Sequence, residues 1–173
     1  TIDTSGIAAK YVYDQSVFGR EVNVVTGVDY YDSQNDILGS GGNVDDITIS
    51  KQEVGGYSRL EFELVDHIFL NGGGRYHQAR YDFNQRNVSV EESQTPSVWV
   101  YEGGMKYAYA EKSNVYFNIQ KTFRFLSTDE WYSTANYPAW GITPGLNLNL
   151  KQQTGMQYEA GVRHNLFDVT DLK

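Results

Sequence analysis

Apolar and polar residues alternate with a period of two along most of the chain, which is typical of β-strands whose two faces meet different surroundings. Seven segments carry this alternation, and none keeps a period near 3.6. The sequence therefore predicts strands and no helix of any length. The predicted strands are Ile7–Asp14, Arg20–Asp32, Glu53–Val65, Ile68–Phe83, Val98–Ala110, Asn114–Arg124 and Met156–Leu166.

The two faces differ clearly in the third and sixth predicted strands. In the third, Leu60, Phe62 and Leu64 alternate with charged residues. In the sixth, Lys121 interrupts the apolar face, which a position near a membrane boundary would allow because the long side chain can reach toward water. The apolar face of the sixth strand otherwise consists of Val115, Phe117, Ile119 and Phe123.

Short and long connections alternate between the predicted strands, as in an antiparallel meander with its long loops at one end. This arrangement is typical of outer-membrane barrels, and several segments exceed the roughly 9–11 residues that a tilted membrane strand needs. We therefore predict an all-β, antiparallel up-and-down transmembrane β-barrel, with a soluble β-sandwich as the alternative. The short turns are Gln15–Gly19, Asp66–His67 and Glu111–Ser113, and the long polar loops are Ser33–Gln52, Asn84–Ser97 and Phe125–Gly155.

Aromatic residues gather near the ends of the predicted strands. In a membrane barrel they would form two interfacial girdles, where a ring meets acyl chains and its hydroxyl meets water. Ordinary cross-strand pairing of aromatic rings is the alternative. Tyr11, Tyr13, Tyr107 and Tyr109 precede short turns, and Tyr30, Tyr31, Tyr81 and Phe83 precede long loops.

Composition agrees with the barrel and excludes several other classes. The 173 residues include 14 Tyr, 8 Phe and 3 Trp but no Cys, and the formal net charge is −8. The chain lacks the basic stripe with which proteins displace counterions from nucleic acid. Without Cys there are no disulfides, thiolate nucleophiles or Cys-ligated zinc. No apolar run approaches the roughly 20 residues of a membrane helix, so a membrane span would have to consist of strands.

Three motifs resemble the barrels of TonB-dependent receptors. Asn149-Leu150-Lys151 followed by Tyr158-Glu159-Ala160-Gly161 is similar to a family stretch in which Asn-Leu-Lys-Pro-Glu ends a long loop and a Tyr-Glu-x-Gly strand follows. Gln152 and Gln153 depart from the Pro and Glu of that pattern. Phe69–Tyr76 resembles the family's Gly-x-Arg-Tyr/Phe-Asp strand, and Phe18–Tyr30 resembles its turn and Gly-x-Asp-Tyr strand.

The resemblance implies a barrel of about 22 strands around a plug, of which seven would form roughly a third. Residues 1–173 would then be a segment of one barrel domain whose two ends are internal to a longer polypeptide. The plug and the region that contacts the TonB complex would lie outside this chain. The barrel would face lipid in the outer membrane of a Gram-negative bacterium.

The function that the resemblance implies is uptake of a scarce extracellular ligand. A ferric siderophore is the expected ligand, and cobalamin, haem or an oligosaccharide are alternatives. No catalytic group, cofactor or nucleic-acid partner is expected. A small structural or adhesive outer-membrane barrel and a soluble β-sandwich binding module remain the alternative functions.

Charged residues fall on the predicted inner face, where a polar lumen tolerates them. Facing lipid, Arg or Lys would cost about 2–4 kcal/mol at the membrane midplane. These charges can serve ligand passage or plug docking, or can pair with one another, and we expect mutual pairing. Glycines within the strands, at 72–74 and 103–104, permit bends or the close approach of a neighbouring element. The inner-face charges are Arg59, Glu61, Glu63, Arg75, Glu102, Lys106, Arg124, Glu159 and Arg163.

The longest loop holds the candidate ligand-binding aromatics. Exposed rings on a long loop can hold a planar or sugar-like ligand, whereas packing of the loop on itself is the alternative. His67, His77 and His164 lie too far apart in strand order to predict a metal site. The candidate ligand-binding residues are Trp131, Tyr132, Tyr137, Trp140, Arg75, Arg124 and Arg163.

Overall fold

The structure is a computed structural model that describes residues 2–38, 46–85, 90–133, 138–140, 145–166 and 170–172. Its long strands follow the seven predicted segments. They are β1 (Ile2–Val17), β2 (Arg20–Leu38), β3 (Asp46–Val65), β4 (Ile68–Gln85), β6 (Ser97–Ala110), β7 (Ser113–Arg124) and β10 (Gln153–Leu166). Short strands accompany them: β5 (Val90–Gln94), β8 (Tyr132–Ser133), β9 (Gly145–Leu146) and β11 (Thr170–Leu172).

The long strands form one antiparallel sheet in the order β1-β2-β3-β4-β6-β7-β10-β11, with β5 attached to the loop end of β4. This is an up-and-down meander, which confirms the predicted topology. In the described part of the chain the two outermost strands, β1 and β11, do not pair with each other. β8 and β9 form a separate two-stranded hairpin within the longest loop.

The long-loop ends of the strands differ from the prediction. The segment Ser33–Gln52 was expected to be a polar loop, but β2 extends into it as far as Leu38, β3 begins at Asp46, and the two strands pair over these residues as a ribbon. Ile47 and Ile49 explain the difference, because their side chains are fully buried on one face of that ribbon. The expectation of no helix needs a small correction, since Pro138–Trp140 forms a single 3-10 turn. Within the described ranges, no helix is long and apolar enough to cross a membrane.

The apolar face of the sheet points away from the rest of the molecule. Leu64 is 51% exposed and Phe117 is 47% exposed, so this face is not the core of a compact soluble fold. Phe123 is an exception to the predicted alternation, since its ring lies 5.2 Å from that of His77 on the polar face. Its ring also lies 5.2 Å from that of Phe125, so it joins the aromatic residues at the long-loop end of the inner face.

The buried core lies on the opposite, inner face, at the long-loop end. Two of the proposed girdle aromatics, Tyr81 and Phe83, are buried there, so the girdle interpretation is wrong for both. Tyr11, Tyr13, Tyr107 and Tyr109 remain exposed on the outer face, as the girdle prediction requires. The core consists of Ile47, Ile49, Ala79, Tyr81, Phe83, Val98, Phe125, Leu126, Trp131 and Tyr132.

Tyrosines on the inner face lie over glycines of the neighbouring strand. Tyr57 is the register partner of Gly27, and its hydroxyl would be 2.6 Å from a Cβ atom placed on that glycine. The same Cβ would lie 2.8 Å from the carbonyl oxygen of Ala9, which is backbone and cannot swing aside. Gly161 accommodates Tyr116 in the same way. These positions leave no room for a side chain.

We therefore expect Gly27→Ala to destabilise the barrel by about 1–3 kcal/mol, the typical penalty for overpacking. The measurement is thermal unfolding of the intact protein in detergent, followed by the shift in electrophoretic mobility of the folded barrel. Gly74→Ala is the matched control, because the atom nearest to its new Cβ would be 3.8 Å away. Equal melting of the two variants would contradict the assignment.

Candidate functional site

The charged residues of the inner face pair with one another. Arg59 Nε lies 3.2 Å from Glu102 Oε1, and Lys106 Nζ lies 3.0 Å from Glu61 Oε1. Glu63 lies 3.9 Å from Arg20, and Glu159 accepts a hydrogen bond from the Tyr116 hydroxyl at 3.0 Å. The expected mutual pairing is thus confirmed for Arg59, Glu61, Glu63, Glu102 and Lys106, whose partners lie on different strands, whereas Glu159 bonds to a neutral hydroxyl.

Several of these bridges pass over a glycine in the strand between the partners. Arg59 on β3 and Glu102 on β6 are both register partners of Gly73 on β4. A Cβ on Gly73 would lie 3.0 Å from Glu102 Oε1, in the path of the bridge. Gly104 has the same place beneath a hydrogen bond of 3.3 Å from Asn71 to Asn118. Each of these two glycines therefore leaves room for a pair of polar side chains that meet above it.

A second network runs along the inner face toward the long-loop end. Arg75 Nη2 lies 2.7 Å from Asp29 Oδ2 and 3.2 Å from Nδ1 of the buried His77. His77 Nε2 lies 3.2 Å from Glu53, which also pairs with Lys51. Asp29, Glu53 and His77 lie on three different strands and only the register brings them together, so the sequence pattern does not predict this network.

The longest loop begins by folding onto this inner face. The Tyr81 hydroxyl donates a hydrogen bond to the carbonyl oxygen of Leu126. The ring of Trp131 lies 5.0 Å from that of Tyr81 and 5.1 Å from that of Phe83. Lys51 Nζ, the last member of the charge network, lies 5.5 Å from the centre of the Tyr81 ring. The charge network and the loop therefore meet at Tyr81.

The structure separates the candidate ligand-binding aromatics into two groups. Trp131 and Tyr132 are buried, 3% and 7% exposed, so the exposure expected of them is absent. They instead pack in the core, as the alternative of a self-packed loop requires. Trp140 is 80% exposed, as expected. Tyr137 lies outside the described residues.

The three candidate arginines do not converge. Arg75 belongs to the charge network in the wall, and Arg124 lies at the loop end of β7, paired in register with Gln153. Arg163 lies near the opposite end of the same ladder, where it is the register partner of Asn114 close to a short turn. Arg163 is therefore remote from the loop aromatics.

Arg124 stabilises the start of the loop through Glu130. Its Nη1 and Nη2 atoms lie 2.8 and 2.7 Å from the two carboxylate oxygens. Glu130 also accepts hydrogen bonds from the backbone N–H and the hydroxyl of Ser127, at 2.8 and 3.1 Å. The hydrogen bonds from Arg124, and then those from Ser127, lower the pKa of Glu130 to about 2.

Two cavities of similar size open on the inner face. One, of about 400 Å³, lies in the wall beside the paired charges, and Tyr57, Arg59, Arg75 and Glu102 contribute to its lining. The other, of about 410 Å³, lies at the loop end between the two halves of the longest loop. Among the described residues, no group of three or more His, Asp or Glu side chains could hold a metal ion.

Comparison with known families agrees with this two-faced architecture. The family model described as TonB dependent receptor-like, beta-barrel, matches residues 3–172. The chain belongs to the TonB-dependent receptor family. Members of this family are outer-membrane receptors of Gram-negative bacteria. No curated protein matches the chain significantly in sequence.

Solved receptor structures of this type share the fold at low sequence identity. The ferric-catecholate import receptor Fiu from E. coli K12, in its closed form, has 13% identity and a TM-score of 0.71 over 96% of this chain. The ferric citrate transporter FecA, unliganded, has 13% identity and a TM-score of 0.72 over 94%. The ferric yersiniabactin uptake receptor FyuA from Yersinia pestis has 10% identity and a TM-score of 0.66 over 96%.

The chain spans only part of these receptors, covering 29% of Fiu, 25% of FecA and 26% of FyuA. At these identities the likeness shows the fold alone. The family match over almost the whole chain leaves the small adhesive barrel and the soluble β-sandwich without support.

The low pKa of Glu130 predicts how the loop responds to acid. A carboxyl whose folded pKa lies below its ordinary value of about 4.5 contributes stability above that value and loses it as pH falls toward about 2. The contribution is modest, because the pair is largely exposed to solvent. In the intact receptor, pepsin should cleave at Phe125–Leu126 slowly at pH 4 and faster toward pH 2.

Pepsin itself is more active near pH 2 than at pH 4, so the variant is compared with the wild type at the same pH. Glu130→Gln should be cleaved faster than the wild type at pH 4 and at a similar rate near pH 2. Glu92→Gln, on an exposed carboxyl of β5, is the matched control and should behave like the wild type. Identical pepsin profiles for Glu130→Gln and the wild type would show that the pair does not hold the loop.

Proposed function

We propose that this chain is part of the barrel wall of an outer-membrane transport receptor that takes up a ferric chelate. In this proposal the 173 residues form a segment of one barrel domain. The plug and the region that contacts the TonB complex belong to the rest of the polypeptide. The family membership and the two-faced sheet support the proposal.

The observation that carries it is the contrast between the two faces. Trp99, Tyr101, Met105 and Tyr158 project outward and stay largely exposed, as residues in contact with lipid would. On the other side, charges are paired and aromatic rings gather at one end. A wall with lipid on one side and a polar lumen on the other gives this distribution.

The choice of ligand class is drawn from the receptors that share the fold. The names of Fiu, FecA and FyuA all specify a ferric complex, with catecholate, citrate or yersiniabactin as the chelator. Many ferric chelates carry negative charge, so cationic side chains near the loops would attract them. Arg124, at the loop end of β7, is paired with Glu130 and would exchange that partner for a ligand anion.

Among the candidate residues, we propose direct ligand contacts for Trp140, Tyr137 and Arg124. Trp131 and Tyr132 would act from within the core, by holding the start of the loop in place. Arg75 would contribute later, along the wall, when a ligand passes into the lumen. Arg163 lies toward the short-turn end, so any contact with a ligand would come last.

Iron uptake by the intact receptor tests the proposal. In an iron-starved strain without other ferric receptors, the intact protein should restore growth on at least one ferric chelate and should require the TonB complex. Trp140→Ala should weaken uptake roughly tenfold at low chelate concentration, the range of a removed aromatic contact. Growth on cobalamin, haem or an oligosaccharide alone would contradict the ferric assignment.

The lipid-facing side can be tested at two adjacent positions of β10. The 173 residues contain no Cys, so spin labels at Tyr158→Cys and Gln157→Cys are each unique within this segment. In liposomes, the label at 158 should collide more often with oxygen and the label at 157 with a water-soluble nickel chelate. The opposite order, or equal access to nickel, would contradict the proposed orientation of the sheet.

A further inference from the structure

We infer that the outer face of the sheet, at its long-loop end, binds neutral sugars in the headgroup of a membrane glycolipid. The site is an open depression of about 510 Å³ on that face. This volume is within the range of small-molecule sites, which is about 300–1,000 Å³. The inference rests on the proposed function only for the position of the barrel, with its long loops outside the cell, and it concerns a partner that is not transported.

Two rows of register partners line the depression, and each row crosses β3, β4 and β5. Side chains that are register partners lie beside each other on the same face of an antiparallel sheet. The rows therefore bring hydroxyl, amide and carboxylate groups together. They consist of Ser50, Asp82 and Ser93, and of Thr48, Asn84 and Glu91.

Alternation along the strands places these rows on the outer face. Ser50 follows Ile49, whose side chain is fully buried in the inner core. Asp82 likewise lies between Tyr81 and Phe83, which belong to the same core. The side chains of both rows are half-buried or exposed, so a ligand can reach them.

The position of the depression relative to the lipid selects the kind of headgroup. On β4 the outer face is apolar up to Tyr76, whose ring lies 5.1 Å from that of Trp99, and the polar Gln78, Arg80 and Asp82 follow. At roughly 3.3 Å per residue, Asp82 lies about 20 Å beyond Tyr76 along the strand. With the usual strand tilt of about 35–45°, this distance is about 15 Å along the membrane normal. The polar layer of a phospholipid bilayer is only about 5–8 Å thick on each side. An oligosaccharide headgroup therefore reaches the depression, and a phospholipid headgroup does not.

The hydrogen-bonding groups of the two rows match the hydroxyls of a sugar. The carboxylates of Asp82 and Glu91 can accept hydrogen bonds from sugar hydroxyls, and the Asn84 amide can donate to them. Arg80 Nε lies 3.1 Å from Asp82 Oδ2 and holds that carboxylate in place. The described lining contains no Lys or Arg side chain, so phosphorylated and acidic sugars find no cationic partner within it. The site therefore selects neutral sugars.

The described lining offers no exposed aromatic ring on which a sugar could stack. Phe83, the ring nearest in sequence, is 2% exposed and packs in the inner core. Hydrogen bonds at an open site give weak binding, because each one replaces a hydrogen bond to water. A headgroup anchored in the same membrane is confined next to the site, and short tethers give effective concentrations in the millimolar range. A glycolipid can therefore occupy a site that a free saccharide would leave largely empty.

A second copy of the receptor fits this face less well. In a symmetric contact the same patch meets itself, so Asp82 and Glu91 would face the same carboxylates of the other copy. The exposed part of the described lining is polar and offers no apolar side chain to offset that repulsion.

Binding of the intact receptor, in mixed detergent micelles, to two fluorescently labelled lipopolysaccharides tests the inference. One carries neutral hexoses in its core, and the other is truncated to lipid A and the acidic inner sugars. The wild type should bind the hexose-containing form about tenfold more tightly. Glu91→Ala should weaken binding of that form roughly five- to tenfold, as expected for one lost hydrogen bond to a charged group, and should change binding of the truncated form less than twofold.

Ser93→Phe is the second variant, because a ring at this exposed position of β5 would fill the depression without disturbing the core. It should lower binding of the hexose-containing form to the level of the truncated form. Glu111→Ala is the matched control for Glu91→Ala. It removes an equally exposed carboxylate at a short turn, at the other end of the sheet, and should leave both affinities unchanged.

The inference is overturned if the wild type binds both lipopolysaccharides equally, or if Glu91→Ala and Ser93→Phe both bind the hexose-containing form like the wild type. Tighter binding of the truncated form would show an anionic ligand and would also overturn it. Disulfide-linked receptor dimers that form only with Ser93→Cys would assign the face to a second copy instead.

The transport assay separates this inference from the proposed function. Glu91→Ala should restore growth on a ferric chelate as well as the wild type does, because the outer face lies away from the lumen. A receptor that shows the expected sugar dependence but takes up no ferric chelate would refute the ferric assignment and leave the glycolipid site standing.

Discussion

Most of the described ion pairs on the inner face of this sheet join residues on different strands. Neighbouring strands lie about 4.8 Å apart, so partners two strands apart are separated by roughly 9–10 Å at the backbone. Lys106 and Glu61 span that distance beside the Phe69 ring on the strand between them. Elsewhere a glycine lies between the partners: Gly73 beneath Arg59 and Glu102, and Gly104 beneath Asn71 and Asn118. At these two places the glycine leaves the room in which the polar side chains meet.

The same constraint connects the wall to the loop. Toward the loop end, Arg75, His77 and Glu53 satisfy one another in sequence, and His77 is flanked edge-on by Phe123 and Phe125 at 5.2 Å. The face thus changes from paired charges to buried rings within a few residues. Burying these rings stabilises the folded start of the loop, by about 1.5–3 kcal/mol for each side chain fully removed from water. The loop is in this sense an extension of the wall.

Alternation and turn signals were enough to predict the seven long strands, because each strand has one apolar and one polar face and ends at a short turn. They failed at the long-loop ends. The end of β2 after Asp32 and the start of β3 before Glu53 are mostly polar. Their pairing depends on Ile47 and Ile49 being covered by other parts of the chain. The burial of Trp131 likewise depends on Tyr81 and Phe83, which lie far away in sequence. A local pattern carries no information about such partners.

Fiu, FecA and FyuA share this fold with only 10–13% identity. The same fold can therefore be built from very different side chains. A wall whose charges are already paired has little left with which to distinguish one anionic ligand from another. Discrimination between ligands then has to come from side chains that are not paired within the sheet. In this chain those lie in the longest loop, where Trp140 is exposed and Trp131 and Lys151 border a cavity.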